Sequence, residues 1–287
     1  REETNMKYAV IVDSSCDLVI ENKTENNIYM DRVPLRLRVG EREYVDDFNL
    51  DIKSFMEDMK SYHGTSGSAA PSPEEWYNAF KADEVFAVTI SGELSGSYSS
   101  ASVGKHMALE DEPEKKIHIF DSKSAGAGLT LIVRKIQELI AKEKSFEEIV
   151  EALPKIRERI TGFYTINTLE YLQKGGRIGK VAGTIGELLN LKPIITTDDT
   201  GVYYTICKAR GRKQALSKMT ELLKEKLALG KCEVTVLECA CKEEATKYME
   251  QLAKLPNVEN IKLNVLSPAL GVHGGPGLLG LSVKLVE

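Results

Sequence analysis

A chain of 287 residues, 42% hydrophobic and 28% charged, can bury a sizeable core in about two domains, and that composition excludes a disordered chain. Its net charge of −5 counts against a general nucleic-acid binder, which usually carries a basic surplus. No apolar run approaches the ~20 residues that span a bilayer, residues 1–7 are polar rather than signal-like, and five cysteines form no disulfide framework, so a cytoplasmic protein is expected.

Residues 8–12, Tyr-Ala-Val-Ile-Val, form a continuous apolar run suited to a strand covered on both faces. Asp13 and Ser14 then sit at its carboxyl end, where open α/β sheets bind ligands. Residues 33–39 alternate and predict one further strand. Asp51 opens a helix with Ile52, Phe55, Met56 and Met59 on one face. Ser72-Pro73-Glu74-Glu75 combines a cap, a first-turn proline and a capping box. Residues 84–90 and 116–120 predict strands, each followed by small polar residues. Residues 129–140 predict an amphipathic helix. This alternation argues for a three-layer α/β domain with a mostly parallel sheet.

The second half changes character. Ser145 and Glu148 start a helix in which Pro154 predicts a kink or break. Residues 163–166 predict a strand, and residues 168–174 a short helix closed by Gly175-Gly176 as left-handed caps. Residues 193–197 and 202–208 predict a hairpin turning at Asp198-Asp-Thr-Gly201. Residues 213–229 and 243–252 predict helices, and residues 233–239, 261–266 and 281–286 strands. The mixture suggests an α+β second domain. The division is placed at residues 1–155 and 156–287.

Several motifs carry chemistry. Gly275-Pro-Gly-Leu-Leu-Gly280 fits the dinucleotide fingerprint only formally, because no βαβ unit can follow it here. No P-loop is present, and the cysteine spacing fits no zinc site, so no cofactor or metal is expected. Ser95 reads either as a helix cap or as a ligand-binding hydroxyl beside a helix N-terminus. His273, among glycines that let a ligand approach, reads either as a ligand-facing residue or as a loop histidine satisfied by a carbonyl. A Ser95–His273 hydrolase lacks a placed orienting acid and is kept as the alternative, an esterase or thioesterase acting on acyl substrates. Two basic turns, at Arg177 and at Arg210, suit an anion or an acidic partner.

Taken in order, these segments resemble the DegV family of bacterial fatty-acid-binding proteins. Val12-Asp-Ser-Ser-Cys-Asp-Leu18, Tyr44-Val-Asp-Asp47, Ser68-Ala-Ala-Pro-Ser-Pro-Glu-Glu75 and Leu94-Ser-Gly-Ser-Tyr98 are similar to its first landmarks. Leu169-Glu-Tyr-Leu172 with Gly175-Gly-Arg-Ile178, Leu191-Lys-Pro-Ile194, Arg210-Gly-Arg-Lys213 and His273-Gly-Gly-Pro-Gly277 resemble the later ones. Ser68 stands where the family usually has Thr, Ala69 where it has Ser, and Gly92 replaces a common Ser.

The resemblance implies a fold with an N-terminal three-layer α/β domain and a C-terminal domain built on a mostly antiparallel sheet. It implies one long-chain fatty acid at the domain junction. A separate fatty acid kinase would phosphorylate that acid for phospholipid synthesis. The chain itself would be a lipid-binding subunit rather than an enzyme, with only transient membrane contact and no nucleic-acid partner. Carried over by position, the carboxylate shell is Ser68, Ser95, the Gly96 amide, Arg210 and His273, with Arg177 on the kinase-docking surface. The segment Gly64-Thr-Ser-Gly67 leaves open a register in which Thr65 supplies the hydroxyl. Burying about fourteen methylenes at ~0.8 kcal/mol each gives roughly 11 kcal/mol before ordering costs. The tail should therefore dominate affinity and the polar shell orientation. Phe163, Ile166, Leu188, Leu189 and Ile194 are candidates to line the tail.

Overall fold

A computed structural model describes residues 6–18, 23–25, 27–47, 49–184 and 191–286. The first half supplies β1 (Tyr8–Asp13), β2 (Lys23–Glu25), β3 (Ile28–Val33), β4 (Arg36–Val39), β5 (Arg42–Val45), α1 (Ile52–Ser61), β6 (Ser66–Ala69), α2 (Pro73–Ala79), β7 (Glu84–Thr89), α3 (Ser97–Asp111), β8 (Lys116–Asp121), α4 (Ala127–Ala141) and α5 (Phe146–Glu158). The second half supplies β9 (Ile160–Thr165), α6 (Glu170–Lys174), a 3-10 turn (Gly179–Thr184), β10 (Leu191–Thr197), β11 (Tyr203–Arg210), α7 (Gly211–Leu227), β12 (Cys232–Glu238), α8 (Lys242–Leu252), β13 (Val258–Val265), α9 (Pro268–Gly274) and β14 (Leu279–Leu285).

The first sheet has the order β2-β3-β1-β7-β8, parallel except for β2. Its pleat sends alternate side chains to opposite faces. Ala9 and Ile11 pack with Trp76 and Phe80 under α2 and α3, while Val10 and Val12 pack with Leu129, Ile136 and Leu153 of α4 and α5. The result is the expected three-layer domain. The capping boxes at Ser72/Glu75 and Ser145/Glu148 both form.

Two local expectations fail. Of the kink or break expected at Pro154, the break does not occur, and α5 continues to Glu158. A proline removes one intrahelical bond, and the buried face of Ile149, Leu153 and Ile156 holds the remaining turns against α4. Residues 33–39 are not one strand: Pro34 and Leu35 separate β3 from β4. β4 instead joins a small antiparallel sheet of order β5-β4-β6.

The second domain's sheet has the order β11-β10-β9-β14-β12-β13, antiparallel except for the β12–β13 pair. One face, carrying Phe163 and Ile194, packs on Met219 and Leu223 of α7 and Tyr248 of α8. The other face, carrying Tyr164, Ile166 and Ile195, shares a core with Leu35, Leu37, Phe55 and Met59 of the first domain. α9 lies in this shared core. The sequence placed His273 in a glycine-rich loop, but it occupies the last turn of α9. Glycine is a poor helix former, which hid the helix. Gly271 packs closely on α1: a Cβ there would push aside the terminal methyl of Met56.

Candidate functional site

The shared core encloses a slender cavity. About 670 Å³ of space lies within it and its mouth, part of that open to solvent. The walls are mostly apolar, from Leu35 and Ile90 of the first domain to Ile166, Leu172, Leu266 and Leu278 of the second. Among them stand four polar side chains of particular interest: Ser68, Ser95, Arg177 and His273.

These four come from four separate elements. Ser68 lies on β6, paired opposite Leu37 of β4. Ser95 ends the turn after β7, and its Oγ accepts from the Ser97 amide at 3.2 Å. Arg177 follows α6, with Nη1 donating to the Gly175 carbonyl at 2.7 Å and Nε to the Leu94 carbonyl at 3.3 Å. His273 sits on α9 with Nε2 at 2.8 Å from Ser68 Oγ.

His273 is only 9% exposed. Burial, and then the nearby Arg177 charge, push its imidazole down to about 3, so the ring is neutral at neutral pH. Its Nδ1 has no hydrogen-bond partner among the described residues. The ring fits because Gly175 lies against it: a Cβ on Gly175 would come 2.7 Å from His273 Cε1 and closer still to Nδ1. The two glycines after α6 therefore differ. Gly176 takes the left-handed conformation, with φ +71°, whereas Gly175 keeps φ −80° and leaves room for the histidine.

Asp13, flagged at the end of β1, is a scaffold. Its carboxylate accepts from the Ser15 amide at 3.1 Å, the Ile90 amide at 2.9 Å, Ser97 Oγ at 2.7 Å and Ser15 Oγ. This knits the ends of β1 and β7 to α3. Ser14 Oγ accepts from the Leu35 amide at 2.9 Å. Ser15 is the member of this turn that reaches the cavity wall.

Other candidates fall elsewhere. Arg210 is exposed and stands at the far end of β11 from Tyr203, a lining residue. Arg210 is not among the residues that line the cavity. Its backbone amide instead donates to Gln214 at the start of α7. The cation beside His273 is Arg177. Gly96 is the N-cap residue of α3 and lines a shallower outer groove with Gly92, Leu94, Ser95, Arg177 and Tyr203. Thr65 is exposed and outside the cavity, whereas Ser68 meets His273. Ser95 is not the hydroxyl hydrogen-bonded to His273.

The tail candidates divide by strand parity. Ile166 lines the cavity, but Phe163 and Ile194 point to the opposite face of the sheet, into the core under α7. Their neighbours Tyr164 and Ile195, which pair across β9 and β10, line it instead. A shift of one residue changes the face. Leu188 and Leu189 lie outside the described residues. Alternation along β9 was the available signal, but sequence does not say which face carries the ligand. Among the described residues no helix is long and apolar enough to cross a membrane.

Comparison with known proteins adds to this geometry. A family model described as "Uncharacterised protein, DegV family" matches residues 7–285. A DegV domain-containing protein of Clostridium perfringens is 42% identical over 282 residues, 97% of this chain and 98% of that protein. Among solved structures, the chain is similar to the Streptococcus pneumoniae Fatty Acid Kinase (Fak) B3 protein loaded with linoleic acid. The TM-score is 0.89 at 32% identity, covering 98% of this chain and 100% of that one. It is also similar to a DegV family protein of Ruminococcus gnavus refined with vaccenic acid, with TM-score 0.87 at 30% identity over 97% of this chain and 100% of that one.

Proposed function

The chain belongs to the DegV family, and from that premise we propose that it binds one long-chain fatty acid and presents the carboxylate to a separate fatty acid kinase. The observation that carries this reading is a cavity with mostly apolar walls and a small polar cluster around the Ser68–His273 contact. The two parts of the chain, residues 1–155 and 156–287, each supply half of that cluster.

The chemistry fits an amphiphile with one anionic end. A bare buried carboxylate is very costly, so it needs donors. The Ser68 and Ser95 hydroxyls and the Arg177 guanidinium supply them, with charge-assisted bonds worth ~1.5–3 kcal/mol each. The neutral His273 ring can donate from one nitrogen while the other accepts. The aliphatic walls take the tail. Arg177, Ser95, Leu94 and Tyr203 line both the cavity and the outer groove. That shared boundary supports a carboxylate held where a partner can reach it, with Arg177 at the rim. Native mass spectrometry of the purified protein, followed by extraction, tests the reading. A one-to-one adduct of fatty-acid mass is expected; a protein that stays unloaded after incubation with long-chain acids refutes it. With the cognate kinase, Arg177→Ala should slow phosphorylation per molecule of bound acid.

The 2.8 Å Ser68–His273 contact favours one other reading, a Ser–His hydrolase. A triad needs a group on the second imidazole nitrogen to orient the base, and Nδ1 has none among the described residues. Turnover of acyl esters that is lost in Ser68→Ala would establish this reading instead.

A further inference from the structure

The helix that carries His273 is capped by carboxylates of the first domain. Ser267 stands at the N-cap of α9, yet its side chain makes no capping bond and its Oγ has no partner among the described residues. Pro268 has no N–H to satisfy. The Leu270 and Gly271 amides bond the Ser267 carbonyl at 3.0 and 2.9 Å. That leaves the Ala269 amide, the orphan donor that an N-cap side chain ordinarily takes. It donates to Asp46 Oδ2 at 3.1 Å, across 223 residues of sequence. The Ser267 amide itself donates to Asp17 Oδ1 at 2.9 Å, across 250 residues. Both carboxylates belong to the first domain. Four residues beyond Ala269, about 6 Å along the helix, His273 meets Ser68.

We infer that Asp17 and Asp46 are positioning residues for the head-group cluster: they cap α9 across the domain junction and so hold His273 against Ser68. The inference takes its ligand from the fatty-acid reading above, while its geometry stands apart from it.

Stability alone gives no reason for this arrangement. A serine is already in place at the N-cap and would serve without a buried charge. Asp46 is fully buried, and Asp17 Oδ2 is buried without a hydrogen-bond partner. Burial pushes the Asp17 carboxyl up to about 7 and that of Asp46 up to about 6. Arg32 of β3 opposes both shifts, donating to the Asp46 carbonyl at 3.2 Å with its Nη2 at 3.9 Å from Asp46 Oδ1. Asp13 of β1 faces Asp46 as a like charge, Tyr164 of β9 and Tyr203 of β11 face Asp17, and the two aspartates repel each other. A buried carboxylate is weak evidence for stability, whereas two of them aimed at one short helix fix its placement.

The test titrates wild type, Asp46→Ala, Asp46→Asn and Asp17→Ala with palmitic acid and with hexadecanol, which has the same tail and no carboxylate. Each alanine variant should lose about tenfold in acid affinity, the scale of a lost helix cap, and stay within about twofold for the alcohol. Asp46→Asn keeps an acceptor for Ala269 and should behave as wild type with both. Equal losses for acid and alcohol, or no loss in folded alanine variants, would overturn the inference. If Asp46→Ala does not fold, Asp17→Ala decides, because removing a carboxylate whose burial is costly spares the fold. In the ligand-free protein, the imidazole nitrogen signals of His273 and hydrogen exchange at Ala269 and Gly271 should both change in Asp17→Ala. Unmoved signals would refute the positioning role. A wild type that binds no palmitic acid would instead sink the fatty-acid reading, leaving these signals to judge the positioning by themselves.

Discussion

Replacing Gly175 by alanine probes the cavity's polar cluster without substituting any of its functional groups. The backbone at Gly175, with φ −80°, accepts alanine, so strain in the main chain is not the issue. The new methyl is: its Cβ would lie 2.7 Å from His273 Cε1, where ordinary contact begins at 3.4 Å, and it would come closer still to Nδ1. The imidazole must retreat by about 1 Å, and overpacking of that kind costs ~1–3 kcal/mol. A retreat of that size displaces Nε2 from its 2.8 Å geometry with Ser68, a further ~0.5–1.5 kcal/mol. Urea unfolding should therefore show a loss of about 2 kcal/mol, and fatty-acid titration a loss of about tenfold in affinity. Gly67→Ala is the control. It neighbours Ser68 on β6, and a Cβ there meets nothing within 4 Å. It should be neutral, or stabilising by ~0.4–1 kcal/mol through the unfolded state. If Gly175→Ala matches wild type in both assays, His273 is not confined as described and the reasoning fails.

Two further expectations separate the structure from simpler readings. Arg210→Ala should leave acid affinity unchanged, while Arg177→Ala should lower it about tenfold, the cost of one charge-assisted bond; isothermal titration of the two variants side by side decides, and the reverse order would restore Arg210 to the shell. The second concerns acid. His273 titrates near 3 when folded and near 6.5 when unfolded, so its neutral form contributes stability that is fully present above 6.5 and lost as pH falls toward 3. Relative to His273→Gln, the wild type should lose about 2 kcal/mol between pH 7 and pH 5 in urea unfolding. Asp13, Asp17 and Asp46 are shifted up and act in the opposite sense, gaining stability as pH falls, which is why the comparison is made against the variant. A difference that does not change with pH would place His273 in contact with water.

Local chemistry was legible wherever a short segment carried its own instruction. The capping boxes at Ser72 and Ser145 formed because donor and acceptor lie three residues apart. The apolar run before Asp13 became a central parallel strand because no partner other than a two-sided core suits it. Pro154 shows the limit of such signals, since burial of the α5 face outweighed one missing hydrogen bond. α9 shows it from the other side: Gly271 and Gly274 argue against a helix locally, yet the helix forms where its residues pack in the shared core.

The ordered motifs by themselves determined the family and the two-domain α/β fold, and they singled out Ser68, Ser95 and His273, because each motif is a local arrangement that the chain repeats in a known order. Which side chains meet was decided only in three dimensions. Arg210 and Arg177 read alike as basic, glycine-flanked turns, but only Arg177, just after α6, lines the cavity. Phe163 and Tyr164 differ by one residue and face opposite cores. Asp17 and Asp46 have no local mark of their role, because the amides they hold lie more than 200 residues away. Contacts of that range depend on how two sheets and α9 pack together, and no window of sequence contains them.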